Sequence, residues 1–204
     1  MEGLEPSAVK EIIASSLSRS MSYKSYRELV STLVDEKSTT GPDKSLAMVN
    51  YTALNDRRMN RWDKTIKITD RAKAKIQNFS RKITWLVLSE SWCGDAAHVL
   101  PVLSRVGDLN PNIDLRIVLR DENPELMNAF LTNGGRSIPK LIMLDETMNI
   151  TGTYGPRPST ATRMVNAYKR DHGTLTPVFK EDLQRWYNKN KGQTIVNDIL
   201  KLLG

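Results

Sequence analysis

Cysteine is the scarcest reactive residue in this chain, with Cys93 the single thiol among 204 residues. One thiol excludes an internal disulfide, so nothing in the composition calls for an oxidising compartment. Histidine is nearly as rare: His98 and His172 are the two present, and with one cysteine they do not make a zinc site. No metal is expected. Long apolar runs are missing too, none approaching the ~20 residues a membrane span requires, so no membrane partner is expected. The opening MEGLEPSAVKEIIASS lacks the basic and apolar stretches of a secretory leader, and a cytoplasmic location is the expectation. There is no G-x-S-x-G elbow, no Walker-type loop and no G-x-G-x-x-G, which removes the nucleophile-elbow hydrolases and the phosphate cradles. No cofactor is expected.

Charge is present but unevenly placed. The net charge is +7, yet the segment from Arg57 to Lys82 alone holds ten bases and two acids, leaving the remainder close to neutral. Such a belt can meet an acidic partner. No aromatic platform or known motif accompanies it, so a solvated helical face is the plainer reading and a nucleic-acid partner is not expected.

Residues 1–80 read as helices. Val9, Ile12, Ile13 and Leu17 share one face after Ser7, and Tyr26, Leu29, Val30, Leu33 and Val34 form a second stripe. STTGPD (38–43) is a loop, and further helices run through Leu46 to Arg61 and from Thr69 to Phe79. Nothing in this region looks like a catalytic cluster. Near residue 83 the period changes. ITWLVLS is a short apolar run, as expected of a strand covered on both faces. A helix through Ala96 to Leu103, a strand at 113–120, a short helix opened by Asn123-Pro124, and strands at KLIML and MNITGTY follow. The next helix carries Ala161 to Tyr168, and Thr176-Pro177 starts a closing helical segment in which Gly192 leaves open whether there are one or two helices. This order describes an α/β fold with a partly parallel, mixed sheet flanked by helices. The division is an N-terminal helical extension, 1–80, packed on a core at 81–204 that ends in a helical segment.

Residues 83–170 resemble the thioredoxin family. WCGDA stands at a strand-to-helix turn like that family's W-C-x-x-C; Pro101 matches the proline of its first helix. GGRSIPKLIML resembles its Ile–cis-Pro segment, and TYG at 153–155 the glycine closing its last strand. The WCGD motif and the N-terminal extension resemble a bacterial thioredoxin-like subgroup. The resemblance implies a thioredoxin-like fold, with Cys93 as nucleophile and Trp92, Gly94, Asp95, Ile138 and Pro139 around the substrate. Two departures limit the chemistry. Ala96 stands where the family has its second cysteine, and Val87 where it has its buried aspartate. A two-cysteine reductase is therefore excluded.

A thiol before a helix N-terminus is expected to ionise more readily, and Gly94 suggests an open turn that exposes it. Asp95 would oppose that ionisation if charged on the same side, and Lys140 would favour it. His98, five residues on, points away from the thiol and reads as a packing or surface histidine; His172 reads as a C-terminal-turn residue. The function expected is a monothiol protein that forms mixed disulfides through Cys93 and is resolved by an external thiol. Its partners would be a protein disulfide or a low-molecular-weight thiol. The alternative is a non-catalytic adaptor holding a protein partner around Trp92 and Pro139.

Overall fold

The apolar run ITWLVLS forms an inner strand of the sheet. In the computed structural model, which describes residues 5–204, it is β1 (Ile83–Ser89), buried along nearly its whole length. β2 (Ile113–Leu119) pairs with it in parallel, from Ile83 opposite Ile113 to Ser89 opposite Leu119. The other edge of β1 takes β3 (Lys140–Leu144) antiparallel, and β4 (Ile150–Tyr154) pairs antiparallel with β3. The order is β2-β1-β3-β4, a mixed α/β sheet.

Helices cover both faces. Four precede the sheet: α1 (Pro6–Ser18), α2 (Tyr23–Asp35), α3 (Leu46–Thr65) and α4 (Asp70–Gln77). Ser22 caps α2 by accepting the Ser25 N–H at 3.1 Å, and Thr69 does the same for α4 from Ala72 at 3.3 Å. α2 packs on α3, and α3 packs in turn on α5 (Ala96–Gly107). Ile13, Val30, Met59 and Ile76 are fully or almost fully buried, each burial contributing roughly 1.5–3 kcal/mol. Between α1 and α2, Met21 exchanges two backbone hydrogen bonds with Ile117 (2.9 and 2.8 Å), which closes part of the outer edge of β2.

α5 is buried almost all round, with Val99, Leu100, Val102 and Leu103 out of contact with water. After the sheet's short α6 (Pro124–Ala129), the chain ends in α7 (Ser159–His172), α8 (Pro177–Asn190) and α9 (Gln193–Leu203). The closing segment is thus two helices. Lys191 and Gly192 both adopt positive φ, 52° and 77°, a left-handed stop of the kind that ends helices. Glycine is needed there, because a Cβ on Gly192 would stand 2.7 Å from Val102 Cγ2. No described helix is long and apolar enough to cross a membrane.

Candidate functional site

β1 ends at Ser89, and four residues later the chain turns through Cys93 into α5. That turn is pinned from both sides. Ser91 Oγ lies 2.8 Å from Thr52 Oγ1 and 3.1 Å from Thr39 and Thr40, and it accepts the Thr40 N–H at 3.0 Å. Asn55 donates to the Ser91 carbonyl at 2.9 Å. Glu90, fully buried, accepts the Asp121 N–H at 2.8 Å, and burial raises its carboxyl pKa. Residues of the loop before α3, and α3 itself, therefore set the backbone that presents the cysteine.

Cys93 is 8% exposed. Its Sγ donates to the Ile138 carbonyl at 3.3 Å. The Ile138–Pro139 bond is cis. Pro139 is itself buried, and its carbonyl is what a Cβ on Gly155 would strike, 2.1 Å away; Gly155 has φ +110°. The glycine of TYG lets β4's exit run directly against the segment facing the thiol.

The thiol's ionisation runs opposite to the expectation from the helix start. Burial pushes the Cys93 thiol up to about 12, and the neighbouring Asp95 carboxylate adds to the rise. The N–H groups of Ala96 and Asp95 and the Arg157 guanidinium favour the thiolate. They are outweighed, because desolvation of a charge exceeds what a helix end supplies. The turn expected to expose the thiol leaves Gly94 half-buried and Cys93 buried.

Asp95 stands at the N-cap of α5, but its side chain makes no capping hydrogen bond. Its carboxylate pairs with Arg157 at 2.7 Å and accepts the Tyr187 hydroxyl at 3.0 Å. Burial nevertheless raises its pKa, with Arg157 and Tyr187 acting in the other direction. His98 is a packing histidine. It is 2% exposed, its Nε2 pairs with Gln184 Oε1 at 3.0 Å, and its ring stacks on Tyr187 at 4.2 Å. Burial lowers its pKa to about 3. Lys140 contributes nothing to the thiol's side: its ammonium donates to Thr132 at 3.2 Å.

These groups surround a cavity of about 530 Å³. Cys93, Gly94, Asp95 and Trp92 form one wall and Ile138 another. Trp92 lies under the Arg120 guanidinium, 4.8 Å from the ring centre. The other walls include Met48, Tyr51 and Arg58 of α3, the last from the basic belt, and Lys180, Gln184 and Tyr187 of α8. Arg58 reaches over the turn, its Nη1 3.6 Å from where a Gly94 Cβ would be. Val87 and Ala96 are buried apolar residues, so neither a proton carrier nor a second thiol stands at those positions. Among the described residues no group of His, Cys, Asp and Glu could hold a metal ion.

A family model described as "Thioredoxin" matches residues 41–169, from the loop before α3 almost to the end of α7. No curated protein matches the chain. Two solved structures share its fold. A Pseudomonas aeruginosa protein of unknown function aligns at 20% identity and a TM-score of 0.58, over 74% of this chain and 84% of its own. An HIV epitope-scaffold aligns at 19% identity and 0.57, over 90% of this chain and 98% of its own.

Proposed function

This chain belongs to the thioredoxin family, and on that premise we propose that it is a monothiol thiol–disulfide exchange protein acting through Cys93. The supporting observation is that the chain's one thiol stands in the wall of the 530 Å³ cavity, with Ala96 where a resolving cysteine would be. In the forward step Cys93 loses its proton to solvent and its thiolate attacks one sulfur of a disulfide R–S–S–R. A Cys93–S–S–R bond forms and R–S⁻ leaves, taking up a proton. With no second thiol in the chain, an external thiol R′–SH then attacks the R sulfur, releasing Cys93 and producing R–S–S–R′. The electrons that reduce the first disulfide come from that external thiol.

The high thiol pKa makes the resting protein a slow nucleophile. Its rate rises about tenfold per pH unit while the thiol remains mostly protonated. The assay is turnover of a neutral disulfide such as 2-hydroxyethyl disulfide with an external thiol as second substrate. Ping-pong kinetics that vanish in Cys93→Ala are expected. Turnover that survives Cys93→Ala would remove the proposal.

A second reading, an adaptor that binds a partner around Trp92 and Ile138–Pro139 without covalent chemistry, is favoured by the same raised pKa. It predicts partner affinity unchanged in Cys93→Ser and no adduct at any pH at which the fold persists.

A further inference from the structure

The cavity beside Cys93 is lined by five cations and one carboxylate. Arg58, Arg120, Arg136, Arg157 and Lys180 face Asp95 alone. Two of the cations are already neutralised: Arg157 by Asp95 at 2.7 Å and Arg120 by Asp121 at 2.8 Å. Arg58 has a neutral partner, Asn55 at 3.0 Å, and no acidic one among the described residues. Arg136 and Lys180 pair with no acid there either. His98 in the same wall adds no charge at neutral pH, its pKa being lowered to about 3 by burial. The cavity is thus an electropositive pocket in which three of five cations form no direct ion pair among the described residues.

Arg58 is half-buried directly over the Cys93–Gly94 turn, whereas Arg136 and Lys180 are exposed at the rim. Burial lowers the Arg58 pKa and Arg61 and Arg57 lower it further, with Tyr51 and Asp95 acting in the other direction; a bound anion beside it would favour its charged form. The wall also holds buried polar atoms without partners, Arg157 Nε and His98 Nδ1. Buried polar groups are nearly always paired in folded proteins. The apolar part of the wall, Met48, Tyr51 and Trp92, suits a short carbon chain.

We propose that this pocket binds a carboxylate-bearing, low-molecular-weight disulfide or its thiol, with Arg58 gripping a carboxylate next to Cys93 and Arg136 and Lys180 holding a second anionic group at the mouth. The inference rests on the exchange chemistry proposed for Cys93 and names its substrate class. A guanidinium–carboxylate hydrogen bond is charge-assisted and geometrically specific, so the site selects the anionic disulfide over a neutral one of similar size.

The test has two independent arms. In the first, Cys93→Ser is titrated calorimetrically with glutathione disulfide, a net-anionic probe, and with neutral 2-hydroxyethyl disulfide. Binding of the anionic probe alone is expected, weakening with salt and falling about tenfold or more in R58Q and in the R136Q/K180Q pair. Arg136 and Lys180 are exposed, so that pair keeps the test usable if R58Q fails to fold. No binding, salt-insensitive binding, or equal displacement by sulfate would overturn the ligand class. The second arm compares rates of mixed-disulfide formation at Cys93 for the two probes. The anionic-to-neutral ratio should exceed one, and R58Q should bring it about tenfold closer to one. A ratio of one in the wild type would sink this inference and leave the exchange reaction standing. Absence of reaction with either probe would sink the exchange reaction, while the first arm would still decide whether the pocket holds the anion.

Discussion

Replacing Asp95 by asparagine should make the buried thiol more acidic. Asp95 is the second cause, after burial, of the raised Cys93 pKa. Its carboxylate also holds Arg157 at 2.7 Å and cancels that guanidinium's charge. Asparagine keeps the size and an oxygen for the Tyr187 hydroxyl, which sits at 3.0 Å, but removes the negative charge. Arg157 is then left as an uncompensated cation that favours the thiolate. One charge at close range moves a neighbour's pKa by about one to three pH units. Cys93 should therefore fall from about 12 towards the ordinary thiol range without passing below it, because its burial is unchanged. At neutral pH the thiolate fraction rises about tenfold for each pH unit of that fall. Arg157 is about a quarter exposed, 26%, so the loss of stability should stay below the ~3–5 kcal/mol of breaking a fully buried pair. The assay is the second-order rate of iodoacetamide reaction from neutral to alkaline pH, for wild type and D95N, with circular dichroism to verify the fold. Equal or slower alkylation of a folded D95N would refute the argument that this carboxylate holds the thiol protonated.

Gly155→Ala should destabilise the protein by well over ~2 kcal/mol, since the added Cβ would lie 2.1 Å from the Pro139 carbonyl at φ +110°; a urea midpoint matching the wild type would contradict that contact. Ser91→Ala should cost about 1–3 kcal/mol, because it strips partners from the buried hydroxyls of Thr39, Thr40 and Thr52; chemical denaturation reads it directly. His98 titrates near 3 in the folded chain and near 6.5 unfolded, so the unfolded state binds the proton first as pH falls. Stability should drop by up to ~1.4 kcal/mol per pH unit from about 6.5 towards 3, and His98→Phe should flatten that slope in pH-dependent melting. Ala96→Cys should form an internal disulfide with Cys93, seen as a loss of both free thiols on oxidation; two persistent thiols would show that the turn lacks the family's geometry.

What the sequence made legible follows the range of the interactions involved. The strands at 83–89, 113–119 and 140–144, and the helix after Cys93, were readable because their apolar spacing is a local property. The motif residues Cys93, Ile138 and Pro139 were readable through their resemblance to a family with a fixed topology. The remaining walls were not. Tyr51 and Arg58 lie on a helix whose stripe announces a buried side but not its neighbour, and Lys180 and Tyr187 come from a helix some ninety residues further along the chain than Cys93. The direction of the thiol's pKa failed for the same reason: the helix end is local, whereas the burial that overrides it depends on segments distant in sequence, such as Ile138, whose carbonyl meets the thiol. The break between α8 and α9 had a usable signal in Lys191-Gly192, a helix-stop pair of the left-handed kind. The hydroxyl cluster around Ser91 had none, since threonines at 39, 40 and 52 are ordinary loop and helix residues until the fold joins them.

The exchange proposed here requires Cys93 to make and give up a mixed disulfide. Its most direct test is intact-protein mass spectrometry after incubation with a neutral disulfide at mildly alkaline pH, followed by addition of an external thiol. One half-disulfide adduct per chain is expected, located on Cys93, removed by the external thiol and absent from Cys93→Ser. A folded wild-type protein that stays unmodified, under conditions that fully modify the same chain unfolded in urea, would contradict it.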